Sequence, residues 1–129
     1  MSAGRAIVLV DHGSRRAEAN AVVEEVAAAL RERLGGAVVE VAHLELAPPD
    51  VGEAVARCVA RGAAEVLVQP FFLAPGRHGA SDLAALAAAA AARHPGVSVR
   101  VGEPLGAHPR VVDAVLDRIS GARGPSRTE

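Results

Sequence analysis

Two histidines stand just beyond short apolar runs, in segments that favour turns. His12 follows the run at residues 7–10 and opens the segment His12-Gly13-Ser14-Arg15-Arg16, and His78 lies in Pro75-Gly76-Arg77-His78-Gly79 after a similar run. Neutral imidazole binds divalent metals and exchanges protons near physiological pH. Runs of this length are typical of buried strands, and parallel α/β folds place their chemistry at strand ends. The spacing therefore indicates one shared site.

A third histidine and a carboxylate follow another apolar run. Residues 43–46 alternate between polar and apolar side chains, so His43 and Glu45 are expected on one face of a strand. Glu45 is then a candidate proton acceptor or third metal ligand, and its alternative role is an ion pair with an arginine. His12 and His78 also have structural alternatives, namely a hydrogen bond to the loop backbone and a place in a surface turn.

Side chains suited to anions surround these histidines. Ser14 can donate a hydrogen bond or cap the helix that follows, and Arg15 and Arg16 lie at the positive end of that helix. Arg77 adds a further partner for a carboxylate-bearing ligand. For Arg15 and Arg16 the alternative is a solvated helix start. Two histidines with one carboxylate suit Fe²⁺, Co²⁺ or Ni²⁺ and leave positions open for nitrogen atoms of a substrate.

Composition excludes several classes of protein. The 129-residue chain has a net charge of -1, and all 14 of its basic residues are arginines. They do not form the basic stripe that is typical of a nucleic-acid binder. Cys58 is the only cysteine, which excludes an internal disulfide and a four-thiolate metal site within one chain. No apolar run reaches membrane-spanning length. We expect a cytoplasmic protein with neither nucleic acid nor membrane as a partner.

The sequence repeats one pattern four times: an apolar run, then a loop with glycine or proline, then a helical pattern. This alternation predicts a single doubly wound α/β domain, a four-stranded parallel sheet flanked by helices, over residues 1–120, with a disordered tail at 121–129. Right-handed connections bring the segments after the strands to one edge of the sheet. Strands are predicted at 6–10, 37–42, 65–70 and 97–101, and helices at 16–34, 50–61, 81–93 and 109–120.

Four ordered motifs, at residues 10–20, 42–48, 70–78 and 104–109, resemble those of the small, single-domain sirohydrochlorin chelatases. The resemblance extends over about residues 5–120 and is strongest to the branch of ferrochelatases and cobaltochelatases. It implies a class II chelatase fold and insertion of a divalent metal, Fe²⁺ first and Co²⁺ next, into sirohydrochlorin for siroheme or cobalamin synthesis. Related members insert Ni²⁺. The metal is a co-substrate, and no prosthetic group is implied.

The resemblance also implies roles for the candidate residues. His12 and His78 would hold the metal, Glu45 would help to remove protons, and Ser14, Arg15, Arg16, Arg77 and His43 would bind the anionic tetrapyrrole. A homodimer is implied, with residues 70–73 as a candidate contact. The chain departs from many relatives at Gly79–Ala84 and at Pro49-Asp50. The alternative function is a metallochaperone or tetrapyrrole-binding module that carries its ligand without catalysis.

Overall fold

The computed structural model describes residues 4–74 and 79–122 and contains the eight predicted elements, each boundary within two residues of its prediction. The single doubly wound α/β fold is confirmed. In chain order the elements are β1 (Arg5–Asp11), α1 (Ala17–Arg33), β2 (Val38–His43), α2 (Val51–Ala60), β3 (Glu65–Pro70), α3 (Gly79–Arg93), β4 (Ser98–Val101) and α4 (Pro109–Gly121).

The four strands form one parallel sheet in the order β2-β1-β3-β4. Because all strands run the same way, their last residues lie along one side of the sheet, here called the carboxyl edge: Asp11, His43, Pro70 and Val101. Helix α1 packs on one face, against β1 and β2, whereas α2 and α3 pack together on the other. We call these two sides of the sheet the α1 face and the α2/α3 face.

Alternation along the strands divides the core between these faces. Val8 and Val10 of β1 are fully buried on the α2/α3 face, and Leu9 between them is buried on the α1 face. Cys58 is also fully buried in the α2/α3 cluster, as expected for a small hydrophobic side chain. Desolvation and the nearby Glu40 carboxylate raise the pKa of its thiol to about 12.

Local signals in the sequence explain where two of the helices begin. Helix α2 starts with a capping box, in which Asp50 accepts a hydrogen bond from the Glu53 backbone and Glu53 accepts one from the Asp50 backbone, both at 2.8 Å. Helix α4 starts after His108, whose Nδ1 accepts from the backbone N–H of Arg110 at 3.0 Å. Within the described ranges no helix is long and apolar enough to cross a membrane.

Candidate functional site

Backbone hydrogen bonds join the segments that follow β1 and β2. The N–H of Leu44 donates to the Asp11 carbonyl at 2.9 Å, and the N–H of Glu45 donates to the His12 carbonyl at 3.2 Å. The ladder between the two strands thus continues past the carboxyl edge. It holds the loop that carries His12 directly beside the loop that carries Glu45.

The segments after β3 and β4 are joined in the same way. Phe72 and Leu73 accept backbone hydrogen bonds from Leu105 and Gly106, at 3.0 and 2.8 Å. Phe71 also donates its N–H to the carbonyl of Val10, which links the β3 segment to β1. The predicted convergence of the strand-end segments is confirmed for the described residues.

His12 is exposed at the carboxyl edge and rests on a buried aromatic ring. Its imidazole stacks on Phe72 with 4.3 Å between ring centroids and 21° between ring planes. Phe72 is only 8% exposed and belongs to the α2/α3 core cluster, so it supports the imidazole from below. Neither His12 ring nitrogen bonds to a residue that the structure describes. The nitrogens are therefore available to a metal ion or a proton.

Gly13 permits the two loops to approach this closely. It has a φ of +91°, a conformation that side-chain-bearing residues rarely adopt. A Cβ at this position would lie 1.8 Å from the carbonyl oxygen of Glu45. Both the backbone conformation and the space at this position therefore require glycine, and the position of His12 depends on it.

His43 lies in the interior, bonded to a carboxylate. Its Nδ1 is 2.6 Å from Oδ1 of Asp11, and the two side chains are 4% and 17% exposed. Asp11 and His43 are register partners at the ends of β1 and β2. Because β2 ends at His43, the expected alternation does not continue to Glu45, which is exposed in the following bend. The strand on which one shared face was expected therefore ends at the buried His43 and does not reach the exposed Glu45.

The turn that leads into α1 is fastened by an asparagine that sequence reasoning did not single out. The side chain of Asn20 accepts from the Ser14 N–H at 2.9 Å and donates to the Ser14 carbonyl at 2.8 Å. The hydroxyl of Ser14 accepts from the Arg16 N–H at 3.0 Å. The N-cap position itself is Arg16, which makes no side-chain cap, so Ser14 stabilises the turn before the helix. An asparagine one turn into a helix is the available sequence signal.

The two arginines of this turn differ in whether they form an ion pair. Arg16 donates to the Glu18 carboxylate through Nε and Nη2, at 3.0 and 2.8 Å, with both side chains well exposed. The pKa of Glu18 is held below its usual value by a backbone hydrogen bond and by Arg16. Arg15 is exposed and has no ion pair with another described residue. Among the described residues, Arg15 is therefore the cation of this turn that makes no ion pair and can meet an anion.

His78 and Arg77 lie outside the described residues, immediately before the first residue of α3. No group of three or more histidine, cysteine, aspartate or glutamate side chains that could hold a metal ion occurs among residues 4–74 and 79–122. The described part of the site therefore offers one exposed imidazole, one free guanidinium and the exposed carboxylate of Glu45.

Comparison with known proteins identifies the family. The family model described as CbiX matches residues 6–122. The chain belongs to the CbiX family. This CbiX-family chain is 47% identical over 113 residues to the chloroplastic sirohydrochlorin ferrochelatase of Arabidopsis thaliana, covering 88% of the chain and 50% of that protein. It is 32% identical over 141 residues to the sirohydrochlorin cobaltochelatase of Methanococcus maripaludis, covering 90% and 98%.

A solved structure shows the same fold. SirB from Bacillus subtilis with Fe³⁺ aligns with a TM-score of 0.82 and 30% identity, over 94% of this chain and 48% of that one. The CbiX-family chain thus spans about half the length of SirB and of the Arabidopsis protein, but nearly the whole of the archaeal cobaltochelatase. The resemblance seen in the sequence motifs is confirmed, whereas the roles of individual site residues stay predictions.

Proposed function

We propose that this chain is a sirohydrochlorin chelatase, which inserts Fe²⁺, or Co²⁺ as the next choice, into the tetrapyrrole. The observation that carries the proposal is the exposed imidazole of His12, held on Phe72 at the carboxyl edge with both ring nitrogens unbonded to described residues. The names of the relatives support it, since they are a sirohydrochlorin ferrochelatase and a cobaltochelatase. Fe³⁺ in the SirB structure is a further support for metal handling.

The reaction makes specific demands on these side chains. A divalent metal replaces the two N–H protons of the macrocycle, so two N–H bonds break, metal–nitrogen bonds form and two protons leave without any redox change. His12 and His78 would hold the incoming ion or take a proton through their neutral imidazoles. The exposed carboxylate of Glu45, on the loop hydrogen-bonded to that of His12, would accept protons and pass them to water.

The carboxylates of the substrate need cations. Among the arginines that the structure describes in this turn, Arg15 is the best candidate, because it is exposed and has no ion pair with a described residue. Arg16 would have to exchange its exposed bond to Glu18, which costs little because such pairs are weak in water. We include Arg77 and the Ser14 turn in the same anion site. For His43 the buried bond to Asp11 favours a positioning role behind His12 over direct contact with substrate.

We propose a homodimer as the active form. The chain aligns with only 48% of SirB, so a second copy can supply what the rest of that longer chain supplies. The metal enters as a co-substrate, and the tetrapyrrole is the small-molecule partner. A cytoplasmic location stays a prediction, because one relative is named as chloroplastic.

Anaerobic insertion kinetics test the proposal. Purified protein is mixed with sirohydrochlorin and Fe²⁺, Co²⁺ or Ni²⁺, and the absorbance of the macrocycle is followed against the spontaneous reaction. We expect acceleration with Fe²⁺ or Co²⁺, a strong loss in His12→Ala and His78→Ala, and a milder loss in Glu45→Gln. Tight binding of sirohydrochlorin with an unchanged insertion rate would favour the non-catalytic carrier and would overturn the proposal.

A further inference from the structure

Leu46 is the one residue other than glycine that has a left-handed backbone within residues 4–74 and 79–122. Its φ is +73°, a conformation in which the Cβ crowds the carbonyl oxygen that follows, so that glycine or asparagine is the usual residue. Leu46 lies in the bend between β2 and α2, in a loop closed by the hydrogen bond from the His43 N–H to the Pro49 carbonyl at 2.9 Å. Strain of this kind is often retained where a side chain serves function.

The side chain of Leu46 contributes little to the packing of the domain. It is 53% exposed and belongs to neither of the two core clusters. Leu44, two residues earlier, does pack against the α2/α3 core cluster. At Leu46 the chain therefore bears both a strained backbone and an exposed apolar side chain, although asparagine would relieve the first and glycine would remove both. The described part of the fold gives leucine no advantage at this position.

A second exposed leucine lies on the other side of His12. Because the strand order is β2-β1-β3-β4, the segment of His12 after β1 lies between the segment of Leu46 after β2 and that of Leu73 after β3. Leu73 is 59% exposed, and its carbonyl accepts the N–H of Gly106 at 2.8 Å. Two strand spacings, about 10 Å, separate the outer segments. The carboxyl edge thus has an exposed leucine on each side of the exposed imidazole.

We propose that Leu46 and Leu73 contact one face of the tetrapyrrole macrocycle, so that its central nitrogens lie over His12. A metal ion reaches these nitrogens through a face of the ring, because the nitrogens are enclosed by the rim. The face is a conjugated apolar surface that leucine covers favourably, whereas the carboxylates on the rim need cations. The inference rests on the proposed function and assigns the face of the substrate, rather than its charges, to these two residues.

The backbone couples both leucines to the side chains proposed for the chemistry. Leu46 directly follows Glu45, whose N–H donates to the His12 carbonyl at 3.2 Å. Leu73 directly follows Phe72, the ring on which His12 stacks. A macrocycle in contact with both leucines is therefore placed relative to the imidazole and the carboxylate together. Such a contact is equally strong before and during insertion, so it acts on substrate affinity rather than on kcat.

Asparagine at Leu46 separates the strain from the contact, because asparagine tolerates the left-handed backbone but is polar. We expect Leu46→Asn to melt at or above the native temperature, while its Kd for sirohydrochlorin, measured anaerobically without metal by absorbance titration, rises roughly fivefold. This factor corresponds to the loss of about half a leucine burial. Leu73→Asn should weaken binding similarly, and Leu46→Met should restore it. Leu86→Asn, at an exposed leucine two turns into α3, is the control and should bind as the native protein does.

Salt dependence and molecular mass complete the test. The loss of affinity in Leu46→Asn should persist at high salt, whereas a loss in Arg15→Ala should shrink as salt screens the carboxylates. Light scattering should give twice the 13.1 kDa chain mass for the native protein and for both asparagine variants.

Native affinity in either Leu46→Asn or Leu73→Asn would overturn the inference. So would a variant that loses the native dimer mass, because these leucines would then belong to the contact between two copies. Insertion kinetics are separate: weakened binding by the variants of a protein that accelerates no insertion would overturn only the proposed function. A native protein that binds no sirohydrochlorin would overturn both.

Discussion

Replacement of Gly13 by alanine tests whether the close contact between the His12 and Glu45 loops supports the site. The new Cβ would lie 1.8 Å from the Glu45 carbonyl oxygen, whereas ordinary contacts begin at 3.4 Å. One loop must therefore move away from the other. Gly36→Ala is the matched control, because Gly36 has a similar φ of +86° but no atom within 4 Å of an added Cβ.

The magnitude follows from two contributions. Alanine in the left-handed conformation costs about 1–2 kcal/mol at either position. At Gly13 the forced separation also breaks the 3.2 Å hydrogen bond from Glu45 to His12, which adds roughly 1 kcal/mol. We expect Gly36→Ala to lower the free energy of unfolding by about 1–2 kcal/mol and Gly13→Ala by about 2–3 kcal/mol.

Equilibrium urea denaturation, followed by circular dichroism, measures both free energies of unfolding. As a check, the melting temperature should fall by roughly 3–5 °C for each kcal/mol of stability lost in a chain of this size. The insertion rate should fall in Gly13→Ala, since His12 moves with its loop, and remain near the native value in Gly36→Ala. Equal stabilities and equal rates for the two variants would refute the close-contact argument.

Three further outcomes are expected. Asp11→Ala should lower the free energy of unfolding by about 1–3 kcal/mol, measured by urea denaturation, because it leaves the buried Nδ1 of His43 without its partner; a loss below a few tenths would show that the pair is dispensable. Phe72→Leu should reduce the insertion rate even at a temperature where the variant is fully folded, since leucine leaves an apolar side chain in the core but removes the ring beneath His12. An unchanged rate would argue against the stack. The thiol of Cys58, whose pKa is raised to about 12, should resist a thiol reagent at pH 8 in the native protein and react fully in urea. Because its folded pKa exceeds the ordinary value of 9.0, its stabilising contribution should be complete below pH 9 and be lost between pH 9 and 12; rapid labelling of the native protein would contradict both statements.

The elements of the fold were predictable because each repeats a local pattern. Buried strands such as β1 and β3 have continuous apolar runs, and the glycines after α1 mark where that helix ends. The convergence of His12 and Glu45 followed from topology alone, since parallel strands with right-handed connections end at one edge. These inferences need no knowledge of which side chains touch.

The details of the site depend on contacts between distant parts of the chain. Asp11 and His43 are 32 positions apart and meet only because β1 and β2 pair in a particular register. The stack of His12 on Phe72 likewise requires β3 to lie beside β1. The helical pattern at residues 109–120 predicted α4, but whether the sheet of its own domain covers this helix depends on tertiary packing.

The role of the His12 imidazole in metal insertion is tested by comparing two histidine variants in the anaerobic insertion assay. His12→Ala removes the exposed imidazole at the carboxyl edge, whereas His94→Ala removes a histidine just after α3, at the other end of that helix from the site. We expect His12→Ala to lose roughly 100-fold or more in insertion rate, with its free energy of unfolding and dimer mass unchanged, and His94→Ala to keep the native rate. A His12→Ala protein that inserts Fe²⁺ or Co²⁺ at the native rate would contradict the central claim that this imidazole takes part in metal insertion.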